Sequence, residues 1–308
     1  MTALVLIGYS VVSGLRSTVL KGLQLQGAAH AIAGENPISF CNVFFLSQLM
    51  IGLALLVAEP VDVAREIDGL RPRVRLAIAA DAFLGCFLAP LAFYMALDQL
   101  AVITQTLLFS LTLPASALLA LWWLKERLPE RFALSLALIL MGLVVGRVFG
   151  SGLGMGMDQL PGLLWALLAV IATATRNCLR RQLVAQHLSR GLTGGVTNLV
   201  GALVFGLFAL LIYGPQHFFL LQLWWVVGVI VIYGLTLSLG TEILRQLSTA
   251  RFSVTQVAFA GSASVVVTVL TAAAVLHEPL TPGVLASLGL ILLGVLQRHL
   301  SGPSPSPS

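Results

Sequence analysis

The sequence contains few charged residues. Asp, Glu, Lys and Arg make up only 9% of its 308 residues, whereas soluble globular domains carry about 25%. Because 58% of the chain is hydrophobic, its polar surface is too small to cover a water-facing globule. We therefore expect lipid to be the solvent for most of the surface, which excludes a soluble domain as the main body of the chain.

Cysteine is also scarce, and the patterns that indicate a metal site or an enzyme are missing. The glycine-rich stretch 150–156 lacks the Lys-Ser/Thr of a phosphate loop. No serine, histidine and acid are predicted to share one membrane depth. Three cysteines lie in apolar runs without metal-ligand spacing and are interpreted as core residues: Cys41, Cys86 and Cys178. We expect no cofactor, no metal ion and no enzymatic activity.

What the chain has instead is apolar runs of membrane-spanning length. A bilayer core about 30 Å thick needs roughly 20 apolar residues per helix. The first run lacks the basic segment of a signal peptide, so it is interpreted as a span. Ten spans are predicted, at 3–25, 38–58, 74–97, 102–124, 132–149, 160–182, 193–213, 223–247, 254–276 and 283–299. The tail 301–308 is predicted to be disordered.

Most basic residues lie in the loops after even-numbered spans. Examples are Arg71 after span 2, Lys125 after span 4 and Arg190 after span 6, whereas the loops after odd-numbered spans hold only Arg147. Cytoplasmic loops carry such an excess of Lys and Arg, so both termini are predicted to be cytoplasmic in a bacterial inner membrane. The net charge of +5 is explained in this way, and no nucleic-acid partner is expected.

An internal repeat divides the chain. Segments 126–146 and 278–298 share eight of 21 positions at an offset of 152 residues. The matches that are uncommon in membrane helices are Glu126/Glu278, Ser135/Ser287 and Gly142/Gly294. Each glutamate precedes a helix and is expected to favour the N-terminus of that helix.

The repeat predicts an all-α integral membrane protein of two five-helix halves, residues 1–150 and 151–300, followed by the tail 301–308. Because five is an odd number, the two halves have to insert with opposite topology. Secondary transporters use such inverted repeats and bind their substrates near the midplane, where the halves meet. The architecture therefore favours a transporter.

Short motifs recur in both halves. The first half carries Gly14 and Lys21 in span 1, then Ala96-Leu97, Leu113-Pro114-Ala115, Leu124-Lys-Glu-Arg-Leu128 and Gly142. The second half carries Arg176 and Arg181, then Gly261-Ser-Ala-Ser264, Leu276-His-Glu-Pro-Leu280 and Gly294. At these positions the sequence resembles the drug/metabolite transporter superfamily, specifically its ten-helix EamA-type members, which include YddG-like amino-acid exporters.

The resemblance implies a central cavity surrounded by helices 1, 3, 4, 6, 8 and 9, and a substrate that is an amino acid, a sugar, a nucleotide derivative or a drug. Two features depart from the family pattern. The arginine often found in the second helix is absent, and the segment 44–48, Phe-Phe-Leu-Ser-Gln, occupies that region. Pro114 has no counterpart in the second half.

Charged residues within spans are the first candidates for a functional site, because each is costly in the membrane. Arg16, Lys21 and Arg176 are predicted to bind a substrate carboxylate or another anion. The alternatives are a structural ion pair of Arg16 with Asp81 or Glu242 and snorkelling of the other two side chains to the membrane surface. Asp81 and Glu242 are candidates for proton coupling. For Glu242, the alternative is a local pair with Arg245, three residues on.

Uncharged polar residues are the second group. They are predicted either to line the solute path or to hold helices together, and they are Gln105 and Ser110 in span 4 and Gln256 and Ser264 in span 9. Tyr94 is predicted either to stack on a substrate ring or to pack in the core. Pro90 and Pro114 are expected to kink spans 3 and 4.

The sequence thus predicts a secondary transporter that exports small organic solutes, in the first place amino acids or related metabolites, by alternating access. A broad-specificity drug exporter and a passive channel are the alternatives. The expected partners are the solute and membrane lipid, and the protein is expected to act as a monomer or a homodimer.

Overall fold

The computed structural model describes residues 2–32, 34–58, 60–125, 128, 131–149, 159–184, 186, 188–252 and 254–300. These residues form helices, with one isolated β-bridge between Ile32 and Glu35. The α-helices are α1 (Thr2–Ala29), α2 (Phe40–Ala58), α3 (Pro60–Gly69), α4 (Pro72–Ala82), α5 (Ala89–Gln99), α6 (Val102–Phe109), α7 (Thr112–Leu119), α8 (Phe132–Phe149), α9 (Leu160–Val184), α10 (Thr197–Ile212), α11 (Trp224–Ile232), α12 (Gly240–Arg251), α13 (Val254–Leu276) and α14 (Pro282–Leu300). Four π-helical stretches adjoin them, Phe83–Leu88, Ala120–Leu124, Gly191–Val196 and Tyr233–Leu239, and a 3₁₀ helix covers Pro215–Gln222.

Eight helical stretches of the described chain are long and apolar enough to cross a membrane. They are Leu4–Ala29, Phe40–Ala58, Pro72–Gln99, Val102–Leu124, Phe132–Phe149, Leu160–Leu183, Gly191–Ile212 and Trp224–Arg245. Each coincides with one of the first eight predicted spans. The predicted spans 9 and 10 contain shorter apolar helical stretches, Ala263–Leu276 and Pro282–Leu296. The count of ten spans therefore stays a prediction.

The loop after span 2 contains a helix that the sequence analysis did not predict. This helix, α3, buries Val63 against Ile78, Leu183 and Leu192. The Glu66 side chain of α3 accepts hydrogen bonds from the backbone N–H and the hydroxyl of Ser189, at 2.8 and 2.7 Å. The connection is thus packed against the neighbouring helices.

The chain forms two compact units. One comprises Met1–Thr18, Met95–Ala174 and Thr241–Ser308, and the other comprises Val19–Tyr94 and Thr175–Gly240. Each unit takes segments from both predicted halves. The units therefore divide the chain differently from the predicted repeats, which remain a prediction from the sequence.

In the unit 19–94/175–240, α2 and α10 pack closely and run antiparallel. Gly52 of α2 faces Leu199, and Gly206, near the other end of α10, faces Phe45. These helices are spans 2 and 7, the second helices of the two predicted halves. Opposite directions for such counterparts are what an inverted repeat requires.

In the other unit, α8 and α14 form a reciprocal contact. Gly142 lies against Ile291 and the backbone oxygen of Ser287. Gly294 lies against Ile139 and the backbone oxygen of Ser135, and the Ser135 hydroxyl donates to the Gly294 carbonyl. The packing contacts of the two sets are related by the same offset of 152 that the sequence repeat shows. Such an exchange of equal roles is the mark of a contact across a local twofold axis. The hydrogen bond is not reciprocated, since the Ser287 hydroxyl has no partner among the described residues.

Small and hydroxyl-bearing residues join α1 to α13 in the same unit. Gly14 brings the backbones together, because a Cβ atom there would lie 2.8 Å from the carbonyl oxygen of Ser264. The Thr268 hydroxyl donates to the Gly14 carbonyl at 2.9 Å, and the hydroxyls of Thr18 and Thr271 are 3.0 Å apart. Packing of small residues and hydrogen bonds between helices are what drive helix association in lipid, where hydrophobic burial contributes little.

Glu278 has a different role from the one predicted. Its carboxylate accepts the N–H groups of Val102 and Ile103 at 2.6 and 2.8 Å. Residue 101, at the N-cap of α6, is an alanine and supplies no side-chain cap, so the first turn obtains its acceptor from elsewhere in the chain. Glu278 therefore caps α6. The sequence had suggested instead that it would favour the N-terminus of the helix that follows it. Its predicted counterpart Glu126 lies outside the described residues.

The residues before these two glutamates also correspond. Among the described residues, the non-glycine residues with positive φ are Lys125, at 53°, and His277, at 57°. They are again 152 positions apart. A left-handed residue ends a helix by turning the chain away from it, so a left-handed residue occurs at corresponding positions of the two predicted halves.

We predict that Gly142→Val and Gly294→Val each lower the free energy of unfolding by about 1–3 kcal/mol, since a larger side chain has to force α8 and α14 apart. Gly289→Val in α14 is the control, because no described atom lies within 4 Å of a Cβ at that position. Denaturation of the purified protein by SDS in micelles measures the difference. Equal stability of the Gly142 and Gly289 variants would contradict the prediction.

Candidate functional site

A buried carboxylate in span 3 is held between two arginines of span 6. The Asp81 side chain is 1% exposed, and those of Arg176 and Arg180 are 23% and 25% exposed. Arg176 Nε donates to Asp81 Oδ1 at 3.2 Å, and Arg180 Nε donates to the same oxygen at 3.3 Å. One negative and two positive charges leave the cluster with a formal charge of +1.

Helical spacing explains why both arginines reach one carboxylate. Arg176 and Arg180 are four residues apart on α9 and therefore project from one face of the helix. Asp81 is the tenth residue of the span Pro72–Gln99, and Arg176 is seven residues before the end of Leu160–Leu183. At 1.5 Å per residue, both side chains start about 10–14 Å inside their spans. Asp81 and Arg176 thus lie well inside helices that are long and apolar enough to cross a membrane.

A glycine makes room for the Arg176 side chain. Gly85 lies in the π-helical stretch Phe83–Leu88, and a Cβ atom there would overlap the Arg176 guanidinium. π-helical turns within α-helices often occur at functional sites. Here the stretch follows Asp81 by two residues and presents bare backbone to the arginine.

Pro90 explains a further polar contact at this place. Because proline has no N–H, it cannot bond the carbonyl of Cys86, four residues before it. The Gln48 side chain of α2 donates to that carbonyl instead. Gln48 lies in the segment where the family pattern often has an arginine, so its amide satisfies a backbone group that the proline leaves open.

Arg176 has donors that Asp81 does not use. In the described part of the chain, its contacts are the Nε bond to Asp81 and an approach of Nη2 to the Cys86 sulfur at 4.0 Å. A guanidinium binds a carboxylate best through two parallel N–H groups. Among the described residues, the Asp81 carboxylate thus engages Nε of Arg176 and neither of its terminal nitrogens, and the side chain is partly exposed.

The unit 1–18/95–174/241–308 contains a second polar place, where span 4 is broken. Helix α6 ends at Phe109 and α7 begins at Thr112. The proline ring at position 114 excludes the α-helical bond to the Ser110 carbonyl, and that carbonyl accepts the Leu113 N–H at 3.2 Å instead. Pro114 therefore breaks its span as predicted, and the Ser110 hydroxyl donates within the same turn to Leu107 O at 2.6 Å.

Two buried side chains beside this break lack hydrogen-bond partners. Gln105 is 0% exposed and Thr112 is 7% exposed. Neither amide atom of Gln105, nor the Thr112 hydroxyl, bonds to any residue in the described ranges. A buried polar group without a partner costs about 1–3 kcal/mol. A bound polar molecule would recover that cost, so Gln105 keeps its predicted place among the cavity candidates.

Comparison with known proteins relates this geometry to a family. Residues 160–297 match the EamA-like transporter family. The match lies within the second predicted repeat and supports the resemblance there. A crystal structure has the same fold, with a TM-score of 0.57 and 18% sequence identity over 95% of this chain and 97% of the other. No curated protein matches the chain.

The structure places Tyr94 in an aromatic cluster. Its hydroxyl donates to the Ile38 carbonyl at 2.7 Å, and its ring centroid lies 6.0 Å from those of Phe40 and Phe44. Its side chain is buried, with 6% exposure. This arrangement is the packing alternative, and a contact with a substrate stays a prediction.

The other candidates are more dispersed. Arg16 and Lys21 are half-buried on α1. Ser264 donates to the Gly261 carbonyl of its own helix at 2.6 Å. Gln256 belongs to α13, but its side chain lies outside the described residues. Their predicted contacts with a substrate stay predictions.

Glu242 forms the local pair that was the alternative to proton coupling. Its carboxylate accepts Nη2 of Arg245 at 2.6 Å and Nε at 3.2 Å. The sequence analysis did not include Arg180, the second partner of Asp81, among the candidate site residues. The spacing of four residues to Arg176 was the available signal.

We predict that Gly85→Ala lowers the free energy of unfolding by about 1–3 kcal/mol, because the added methyl group forces the Arg176 guanidinium away from Asp81. Gly22→Ala in α1 is the matched control, since no described atom lies within 4 Å of a Cβ there. Thermal unfolding of both purified variants provides the comparison. A Gly85 variant as stable as the control would show that the close approach of Arg176 is not required.

Proposed function

We propose that the chain is a secondary transporter of the drug/metabolite superfamily that exports small organic solutes, in the first place amino acids or related metabolites. The observation that carries the proposal is the buried cluster of Asp81, Arg176 and Arg180 in spans 3 and 6. An intramembrane charge of this kind marks a functional site by default. The family match over residues 160–297 and the shared fold support the same class of protein.

In this proposal Arg176 recognises the solute carboxylate. Its Nε is held by Asp81, which fixes the plane of the guanidinium, and its terminal nitrogens receive the carboxylate oxygens. A guanidinium is suited to this role because it remains charged and presents paired donors in a fixed geometry.

The proposal includes the finer architecture. Two inverted five-helix halves would rock around the site to give alternating access. The antiparallel directions of α2 and α10 and the reciprocal contact of α8 with α14 support the inversion. The basic loops favour cytoplasmic termini in an inner membrane, with Asp81 and Arg176 in the cytoplasmic half of the bilayer, where a solute for export would enter.

We expect Arg176→Lys to reduce counterflow of a labelled neutral amino acid into proteoliposomes by about 10- to 100-fold, since lysine keeps the charge but lacks the paired donors. Arg181→Lys, at an exposed position of the same helix, is the control and should leave the rate unchanged. Unaltered counterflow in the Arg176 variant, at equal reconstitution, would rule out this residue as the carboxylate site.

The same vesicles separate the two alternatives. A broad-specificity drug exporter would move cationic dyes and leave amino acids, in which case loss of Arg176 should have little effect on the flux. A passive channel would give flux that rises in proportion to the solute concentration. Saturation together with counterflow is expected only of a carrier.

Proton coupling is assigned to Asp81, because protonation would release both arginines from their internal partner. Asp81→Asn should remove the acceleration of export by an imposed pH gradient while counterflow without a gradient continues. Glu242→Gln, which alters the other acidic candidate, should keep the response to pH. A gradient response that survives in the Asp81 variant would contradict this assignment.

A further inference from the structure

A second buried titratable cluster lies outside the membrane spans. His217, which is 1% exposed, connects Glu35 with Ser39. Its Nδ1 lies 2.8 Å from Glu35 Oε2, and its Nε2 lies 2.7 Å from the Ser39 hydroxyl oxygen. All three residues belong to the unit 19–94/175–240.

The neighbours of this chain of hydrogen bonds determine its direction. Ser39 precedes α2, and its hydroxyl oxygen accepts the Asn42 N–H at 3.3 Å, as an N-cap does. When His217 is neutral with its hydrogen on Nδ1, the same hydroxyl donates a hydrogen bond to Nε2. A carboxylate can only accept, so Nδ1–H donates to Glu35. Each group is satisfied when His217 is neutral and carries its proton on Nδ1.

These contacts connect two segments that are far apart in sequence. Glu35 ends a tight turn in which Ile32 and Glu35 exchange backbone hydrogen bonds of 3.0 and 2.9 Å. His217 lies in the 3₁₀ helix Pro215–Gln222, which begins after Gly214, whose φ of +77° suits glycine. The hydrogen bonds among Glu35, His217 and Ser39 therefore join the connection between α1 and α2 to the connection between α10 and α11.

Two further titratable side chains, Tyr213 and His30, lie in or beside the same two connections. Tyr213 stacks on the imidazole with ring centroids 4.4 Å apart, and burial, with Cys41 and Glu35 adding to it, raises the pKa of its phenol above 10.0. His30 packs against Trp225 of α11, and the Nδ1 atom of His30 lies 2.9 Å from the Gln26 carbonyl oxygen.

Of the described elements packed against the 3₁₀ helix, α10 and α11 carry no ionisable side chain. Helix α2, which contacts it through Phe45 and Phe218, carries the buried thiol of Cys41. Histidine is the side chain whose charge ordinarily changes between pH 5 and 8.

We propose that the Glu35–His217–Ser39 chain is a proton-released latch that holds these two connections together while His217 is neutral. A proton on Nε2 would occupy the position of the Ser39 hydroxyl hydrogen. That hydrogen would then have to find a new acceptor inside a buried site, where an unmade hydrogen bond is costly. A positive charge on His217, which is 1% exposed, also carries a desolvation cost. The Glu35 carboxylate, whose side chain is 40% exposed, offsets only part of that desolvation cost.

Hydrogen–deuterium exchange of the full-length protein in nanodiscs tests the latch without measuring transport. Protection factors, which are normalised for the chemical effect of pH, are compared between pH 7.5 and 5.5 for segments 30–39 and 213–223. We expect acid to reduce protection by about tenfold in the wild-type protein. His217→Gln retains an amide donor and acceptor but cannot titrate, so its protection should not depend on pH.

Two further variants keep the test decisive. His30→Gln should behave as the wild type, and loss of the pH effect in that variant would make His30 the sensor and overturn the proposal. Glu35→Gln, which removes the carboxylate without emptying the position, should move the opening to higher pH because the imidazolium form loses its counter-ion and the latch weakens. Protection that is independent of pH in the wild type, or equally dependent on pH in His217→Gln, would also overturn it. A failure here is distinct from a failure of the proposed transport.

Discussion

An acidic side chain inside a membrane span needs a counter-charge, since a charge at the helix centre costs roughly 2.5–3.5 kcal/mol on insertion scales. Asp81 obtains two, from Arg176 and Arg180. The surrounding chain is arranged around this contact. Gly85 leaves space for the guanidinium, and the π-helical stretch Phe83–Leu88 presents its backbone there. The pairing of three charges thus determines which residues the neighbouring positions can hold.

Most of the helical plan could be predicted from the sequence, because the thickness of a bilayer fixes the length of an apolar run. The repeat stays a prediction, and the contacts of Gly142 with Ile291 and of Gly294 with Ile139, which are related by the offset of 152, are consistent with it. Helix α3 was missed because its ten residues are too few and too polar for a span. Its role depends on Val63 and Glu66 meeting partners distant in sequence, which periodicity does not reveal.

The individual sites were harder to predict for the same reason. Sequence position showed that Asp81, Arg176 and Glu278 each needed a partner but did not identify it. Glu278 caps a helix that begins 176 residues earlier, and His217 bonds to a serine 178 residues away. Spacing along one helix identifies neighbours on that helix only. The Glu242–Arg245 pair, with its separation of three residues, was for this reason among the expected alternatives.

The reciprocal contact between α8 and α14 also has a consequence for how these two helices stay associated. A surface that is complementary to its own copy is the surface through which two separate identical subunits would dimerise. Because α8 and α14 belong to one polypeptide, their association does not depend on protein concentration, since each helix is always tethered near the other.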